Sequence, residues 1–303
     1  MTTTVAIVVA YHPDLAVADA LLARLQGCCD GIVVVDNGDE AALKSRCDRM
    51  TPGTVRYLPN ASNLGIAAAL NRGVATAWDM GATHVLLSDH DSLPATDMLS
   101  ILHRTLASLE AAGKHVAAVG PMFSDRLRPS DSPFVRVVNG RFSRIEAGNA
   151  EAPLQLDCLI TSGSLISRAA WNAIGPMNEM LFIDYVDIEW GLRAQRLGWS
   201  CYGEPAAGMS HAIGSAPRRV LGRRITVHTP ARLYYQTRNA VFLMRHPDVP
   251  RDWKRALRAV LLRRSIAYPL VVSPRLEYLR MILRGLHHGL QGRLGPLDAP
   301  SVR

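Results

Sequence analysis

The sequence predicts an α/β fold: a doubly wound, mostly parallel sheet flanked by helices, with basic amphipathic helices at the C-terminus. Three observations predict it. Apolar runs of strand length alternate with stretches of helical periodicity over the first 120 residues. The chain is long enough, at 303 residues with 48% hydrophobic and 20% charged positions, to bury a large core, which excludes a disordered, fibrous or mucin-like protein. The basic residues are concentrated at one end: residues 216–303 hold 18 of the 34 Lys and Arg and 4 of the 26 Asp and Glu, a net +14 against −6 for residues 1–215.

The first apolar run, 5–10, lacks a preceding basic segment and a following small-residue cleavage site, so it reads as a strand and not as a signal peptide. Strands are expected next at 32–35, 55–58, 84–88 and 116–119, with helices near 14–26, 39–49, 65–80 and 95–113 between them. In such sheets ligands sit at the carboxyl ends of the strands. After Gly120 the alternation stops, and 134–145 reads as a hairpin around an Asn139-Gly140 type I′ turn. There follow a strand-like run ending in 161–167, a helix from Arg168, a helix from about 187 to 197, and a strand at 200–203.

In the tail, 253–268 and 278–286 interleave Arg and Lys with apolar residues at helical spacing. Such helices suit an anionic membrane surface, a solvated face, or nucleic acid; no zinc-finger or RNA-recognition signature supports the last, so no nucleic-acid partner is expected. The apolar stretch 265–274 is ten residues long and bounded by Arg263, Arg264 and Arg275, short of the roughly 20 that a spanning helix needs. Five cysteines, Cys28, Cys29, Cys47, Cys158 and Cys201, form no C-x-x-C pair, and their odd number fits a reducing cytoplasm better than a disulfide framework.

Four segments carry candidate chemistry. Asp89-His90-Asp91 follows an apolar strand, and extended residues two apart share a side, so both carboxylates can face one Mg²⁺ or Mn²⁺ ion; an Asx turn closing the strand explains the same residues. Asp36-Asn37 ends the second strand, where a carboxylate can meet a base or ribose or merely shape a turn. Asn63-Leu64-Gly65, running into Asn71-Arg72-Gly73, opens a helix rich in small residues: its free amides and the close approach at Gly65 suit an anionic ligand, or the helix is simply capped and tightly packed. Asp184, Asp187 and Glu189 lie at a helix start among Phe182, Tyr185 and Trp190; acidic residues are favoured there electrostatically, but a carboxylate amid aromatic residues is also a general-base candidate. His211 is either structural or a further metal ligand.

In this order the segments resemble the inverting family 2 glycosyltransferases of the Rossmann-like GT-A fold, over roughly residues 3–245. The texture is most similar to that of bacterial rhamnosyltransferases: Ala10-Tyr11-His12-Pro13-Asp14, Leu87 to Ser92, Thr161 to Leu165, Leu181 to Glu189, and Tyr234-Tyr235-Gln236-Thr237-Arg238-Asn239. The chain departs from many relatives in placing His90 between the two aspartates. The resemblance fits a catalytic domain over 1–215, with a nucleotide-binding half about 1–120 and an acceptor half about 121–215, and the charge and amphipathic spacing of 216–303 point to a helical basic region that attaches to a membrane surface.

The resemblance implies that Asp187 is the catalytic base. Asp36, Asn37, Asn63, Gly65, Asn71, Asp89 and Arg238 face the nucleotide-sugar donor, Asp91 and His211 with Asp89 hold a divalent metal, and Ser162, Gly163, Ser164, Asp184, Tyr185, Glu189 and Trp190 face the acceptor. Core packing explains Tyr185 and Trp190 equally well. The implied reaction is transfer of L-rhamnose from dTDP-L-rhamnose to a lipid-linked glycan or glycolipid on the cytoplasmic face of the inner membrane, by a peripheral protein; a homo-oligomer is compatible with the sequence. The alternatives are another donor, such as UDP-galactofuranose or UDP-N-acetylglucosamine, or a non-catalytic scaffold that binds a nucleotide sugar.

Overall fold

A computed structural model describes residues 2–297 except 39, 52, 126–127, 133, 146–151, 212–217, 221–222 and 226. The chain opens with β1 (Thr4–Ala10), α1 (Leu15–Gln26), β2 (Gly31–Asp36), α2 (Ala41–Asp48), β3 (Val55–Pro59), α3 (Ile66–Asp79) and β4 (His84–Asp89), in the expected alternation. All seven residues of β1 are buried, as befits a central parallel strand covered on both faces. Val5, Ile7 and Val9 face a core built with α3, whereas Ala6, Val8 and Ala10 face one built with α1 and α2. The Asp14 carboxylate accepts the amides of Ala16 and Val17 and so starts α1.

The chain continues through β5 (Ser92–Pro94), α4 (Met98–Ala111), β6 (Val116–Asp125), β7 (Arg128–Ser132), β8 (Phe134–Val138), β9 (Arg141–Ile145), β10 (Leu154–Leu156), β11 (Leu165–Ser167) and α5 (Arg168–Ile174). It ends with α6 (Val186–Arg196), β12 (Ser200–His211), β13 (Arg218–Val220), β14 (Arg223–Ile225), α7 (Pro230–Arg245), α8 (Arg251–Val271) and α9 (Arg275–Gln291). The main sheet has the order β10-β12-β6-β11-β4-β1-β2-β3. Strands β3, β2, β1 and β4 are mutually parallel, β12 is parallel to β6, and β11 runs antiparallel between β4 and β6. Because the chain moves outward from β1 to β3 and then crosses to β4 on the other side, a crevice is left at the carboxyl ends of β1 and β4.

The hairpin forms as expected: Val138 pairs with Arg141, and Asn139 and Gly140 both have positive φ, 50° and 74°, as a type I′ turn requires. The strand expected at 200–203 instead runs on to His211, pairing antiparallel with the unanticipated β5. Of the run ending in 161–167, Leu165–Ser167 alone is strand. Asp157, upstream of it, is drawn off the sheet by the Val137 amide and the Trp253 indole, which both donate to its carboxylate.

The basic tail folds back on the rest of the protein. Leu192 of α6 shares a core with Leu243, Val249, Trp253 and Leu257, and α9 meets α7 at Gly285 and Gly289, where an added Cβ would lie 2.8 Å from the Tyr234 carbonyl and 2.9 Å from the Arg238 carbonyl. The division expected at residue 215 falls outside the described residues. Among the described residues no helix is long and apolar enough to cross a membrane.

Candidate active site

The register Ala10↔Asp36 and Val9↔Asp89 sets two carboxylates on either side of the end of β1. Asp36 is fully buried, and its carboxylate accepts the amides of Gly38 and Glu40, each at 2.8 Å, and the Tyr57 hydroxyl at 2.6 Å. It therefore shapes the loop that follows β2. Asn37 ties that loop to the entry of α3: its amide donates to the Gly65 carbonyl, and its oxygen accepts from Asn60 and from the Leu64 amide.

At the start of α3, Asn63 accepts the Gly65 amide. Gly65 has φ +85°, and a Cβ there would lie 2.5 Å from the Phe182 carbonyl oxygen, so glycine is required by the approach of a neighbouring loop. The Ile66 amide donates to that same carbonyl at 2.8 Å. The first amide of this helix is thus taken up by Phe182 and does not stand open to an anion. Asn71, expected at the donor, instead donates to the Met177 carbonyl and Glu179 while accepting the Met177 amide.

Asp89 closes β4 and Asp91 lies in the turn before β5. Ser162, Gly163 and Ser164, expected to face the acceptor, buttress this turn from behind. The Asp89 amide donates to the Ser162 hydroxyl, which donates to Ser92; the Gly163 amide donates to the Leu87 carbonyl; and the Leu87 amide donates to the Ser164 carbonyl. Ser162 is fully buried, so its role is support. Strand β12 brings the backbone of His211 opposite Ser92, next to Asp91; the His211 side chain lies outside the described residues. Two carboxylates with an imidazole-bearing residue on the adjoining strand suit a hard divalent cation in donor type. No third His, Cys, Asp or Glu joins these carboxylates among the described residues.

The acidic segment enters α6 through a strained loop. Phe182, Asp184 and Tyr185 all have positive φ, 65°, 63° and 65°, without being glycine. Such residues cost of order 1–3 kcal/mol each and persist only where their surroundings over-determine them. Helix α7 does so here. The Asn239 amide nitrogen donates to the carbonyls of Leu181, Ile183 and Asp184 at 2.9–3.0 Å, and Arg238 donates to those of Leu181 and Met180. Tyr235 stacks on Phe182 at 4.9 Å, Arg232 grips the Asp184 carboxylate with two contacts of 3.1 Å, and Gln236 adds a third donor at 3.4 Å.

Just past this loop stands Asp187. One carboxylate oxygen accepts the Ile188 amide at 2.8 Å, and apolar Leu87, Leu159, Met177 and Trp190 line the small cavity beside it. Burial pushes its pKa up from 3.8 to about 6; backbone amides oppose that rise, and the charge of Asp184 adds to it. A carboxylate whose pKa burial raises towards neutrality has the basicity a general base needs while still ionised at pH 7.

Three other expectations are corrected. Trp190 is core: its indole donates to the Gly175 carbonyl at 2.9 Å, and its ring packs 6.1 Å from that of Trp171. Glu189 forms a two-point ion pair with Arg193, which also donates to the carbonyls of Ile174 and Pro176, so the pair braces the connection after α5. Arg238 is fully buried and donates to Asn239 and to the Gly295 carbonyl as well as to the loop, so it clasps the loop and does not reach a donor. Tyr185 lies two residues before Asp187; burial raises its phenol pKa although Arg264 hydrogen-bonds it. The sequence reading passed over Arg232 and Gln236. Their signal was positional: 232, 236 and 239 share one face of a helix whose start is marked by Thr229 and Pro230.

Residues 7–172 match the pattern of Glycosyl transferase family 2. The chain is 29% identical over 299 residues to the dTDP-rhamnosyl transferase RfbF of Shigella flexneri, covering 96% of each. Among solved structures it is similar to GalNAc-T7 with UDP, GalNAc and Mn²⁺ (TM-score 0.60, 13% identity, 96% of this chain) and to S. aureus TarS (0.59, 14%, 96%). It spans about half the length of each, 56% and 49%. The TarS 1–349 structure with UDP-GlcNAc aligns at 0.57 with 15% identity, over 96% of this chain and 81% of that one. These structural likenesses show the GT-A fold.

Proposed function

Since the chain belongs to Glycosyl transferase family 2, we propose that it transfers L-rhamnose from dTDP-L-rhamnose, with inversion, to a hydroxyl of a lipid-linked glycan or glycolipid. The observation that carries the donor is the 29% identity to a dTDP-rhamnosyl transferase across 96% of both chains. Asp187 takes the proton of the acceptor hydroxyl as that oxygen attacks the anomeric carbon, and the bond from that carbon to the nucleoside diphosphate breaks as the new one forms. One in-line displacement needs no covalent enzyme intermediate, so the protein's work is alignment and exclusion of water. Asp36 and Asn37 lie at the base end of the crevice and Asp89 at its diphosphate end. Asp91 and His211, with Asp89, would hold Mg²⁺ or Mn²⁺, which when bound neutralises charge on the departing diphosphate.

The purified protein is expected to release dTDP from dTDP-L-rhamnose in the presence of Mn²⁺ and to stop when EDTA is added. UDP-galactofuranose and UDP-N-acetylglucosamine run in parallel: release of UDP alone would move the donor while keeping the base, and release from none would favour a scaffold.

The membrane side of the proposal rests on the exposed side chains of α8 and α9. Leu262, Ile266, Leu270, Leu276 and Leu283 are exposed there, as are Arg258, Arg263, Arg275 and Arg280. Apolar side chains rimmed by arginines match an anionic bilayer surface, each basic residue near the headgroups contributing about 1 kcal/mol. This would put the protein on the cytoplasmic face of the inner membrane, beside a lipid-linked acceptor. Deleting the helices would expose Trp253, Leu257, Tyr278 and Ile282, which are core, so the test leaves them in place. Replacing Leu262, Ile266, Leu270 and Leu283 by Ser is expected to cut co-sedimentation with anionic vesicles at least about tenfold, with the melting temperature unchanged, because roughly 1.5–3 kcal/mol is lost per leucine-sized side chain no longer buried in the bilayer. Unaltered sedimentation would remove the membrane from the proposal.

A further inference from the structure

We propose that Arg232 is a ligand of the donor diphosphate, held in position by Asp184. The proposal rests on the glycosyl-transfer reading above and adds a residue to it. The sequence pointed to Arg238 as the donor-facing cation, but Arg238 is fully buried and its guanidinium is engaged by Asn239 and by main-chain carbonyls. Arg232 lies on the first turns of the same helix with its side chain 46% exposed. Its Nε and Nη2 groups donate to Asp184, whereas Nη1 has no partner among the described residues. A guanidinium is a planar fork of five N–H donors, so holding one edge on a carboxylate leaves another edge oriented for an anion.

Asp184 is itself a fixed anchor. Its side chain is 12% exposed, and its left-handed backbone is pinned by Asn239, so the pair cannot drift along the surface. The loop that carries Asp184 locates the open edge. Its Phe182 carbonyl meets Gly65 and accepts the Ile66 amide at the start of α3, and Asp187, three residues beyond Asp184, shares a cavity with Leu87 of β4. Arg232 thus stands against a loop that borders the crevice, where the diphosphate is the anionic part of the donor; the carboxylates of Asp184, Asp89 and Asp91 raise its pKa against the opposing effect of burial.

Arginine recognises phosphate oxygens through paired, charge-assisted hydrogen bonds. On a diphosphate leaving group those bonds strengthen as the sugar–oxygen bond breaks and negative charge grows, so they stabilise the transition state more than the bound donor. A purely structural Arg232 would do neither; it would keep Asp184 in place and leave nucleotide affinity insensitive to the number of phosphates.

The test compares dTDP and dTMP binding by calorimetry for the unaltered protein, Arg232→Gln, Arg232→Lys and Asp184→Asn. Arg232→Gln is expected to weaken dTDP about 10- to 100-fold, the loss of one or two charged hydrogen bonds, and to change dTMP by less than about threefold. Arg232→Lys keeps the charge without the fork and should recover part of the dTDP affinity; Asp184→Asn should weaken dTDP less than Arg232→Gln does. In turnover with the donor, Arg232→Gln should lower kcat as well as raise KM. Equal dTDP affinity in Arg232→Gln and the unaltered protein would overturn the proposal, and so would equal losses for dTDP and dTMP. If the unaltered protein binds UDP and not dTDP, the donor reading falls and the same comparison is made with UDP and UMP. Binding of no nucleoside diphosphate would overturn both.

Discussion

Asp187→Asn is expected to lower kcat by about 10²–10⁴-fold, the usual worth of a general base, while leaving dTDP affinity within about threefold of the unaltered protein. The amide is isosteric and can still accept the Ile188 amide through its oxygen, so the loop geometry should survive. The same carboxylate fixes the pH dependence. With a pKa of about 6, the fraction of active base halves at that pH, and the rate should fall tenfold per unit below it. Stability runs the other way. The folded-state pKa lies above the ordinary 3.8, so the folded chain holds this proton more tightly than the unfolded one. The contribution of Asp187 to stability is therefore most favourable below about pH 4 and is lost as pH rises through about 6, a swing of order 3 kcal/mol. Asp187→Asn removes that penalty, so the inactive variant should melt at the same temperature as the unaltered protein or higher at pH 7.5, with a difference that shrinks towards pH 4. Retained turnover would transfer the base role elsewhere; a sharply lowered melting temperature would mean that the carboxylate is structural.

The parallel half of the sheet was legible because its evidence is local. An apolar run such as Val5 to Ala10 announces a strand buried on both faces, and Asn139-Gly140 announces a turn whose two positive φ angles few other residue pairs accept. Asp187 stood out as a candidate base for a similar reason, since a carboxylate set among aromatic residues at a helix start is unusual in sequence. Which polar residues touch substrate and which hold the frame was less legible. Ser162 and Asn71 are residue types that serve either purpose, and their partners, Asp89 and Met177, are settled by long-range packing. Strand β5 and the extension of β12 to His211 were also hidden, because each is stabilised by pairing with the other and not by its own pattern. The largest gap concerned α7. The sequence placed Arg238 at the donor, and nothing local revealed that Arg238 and Asn239 would be fully buried against the carbonyls of Met180, Leu181, Ile183 and Asp184, in a loop with three left-handed residues.

That clasp carries the second large effect. Arg238→Met is expected to destabilise the protein by about 3–5 kcal/mol, and at roughly 2–4 °C per kcal/mol for chains of this size the melting temperature should fall by about 6–20 °C. An opposing argument exists: burying a guanidinium is costly, burial here lowers the pKa of Arg238, and apolar replacements of buried ionic groups are often neutral. The partners decide the sign. Arg238 meets main-chain carbonyls of Met180, Leu181 and Gly295, which cannot be mutated away with it, and its guanidinium lies 4.9 Å from the Tyr235 ring and 5.4 Å from the Tyr234 ring. Methionine fills the space but donates nothing, so the Gly295 carbonyl loses this donor within a buried site. The loop from Phe182 to Tyr185, whose three left-handed residues store strain, also loses part of what holds it. Relaxation there would move Asp184 and the start of α6 together, so kcat should fall by more than KM rises, unlike the phosphate-dependent loss expected of Arg232→Gln. Arg238→Lys, able to reach one carbonyl as a point charge, should lie between the two. A melting temperature unchanged in Arg238→Met would show that Asn239 and the stacking of Tyr235 on Phe182 suffice to hold the catalytic loop.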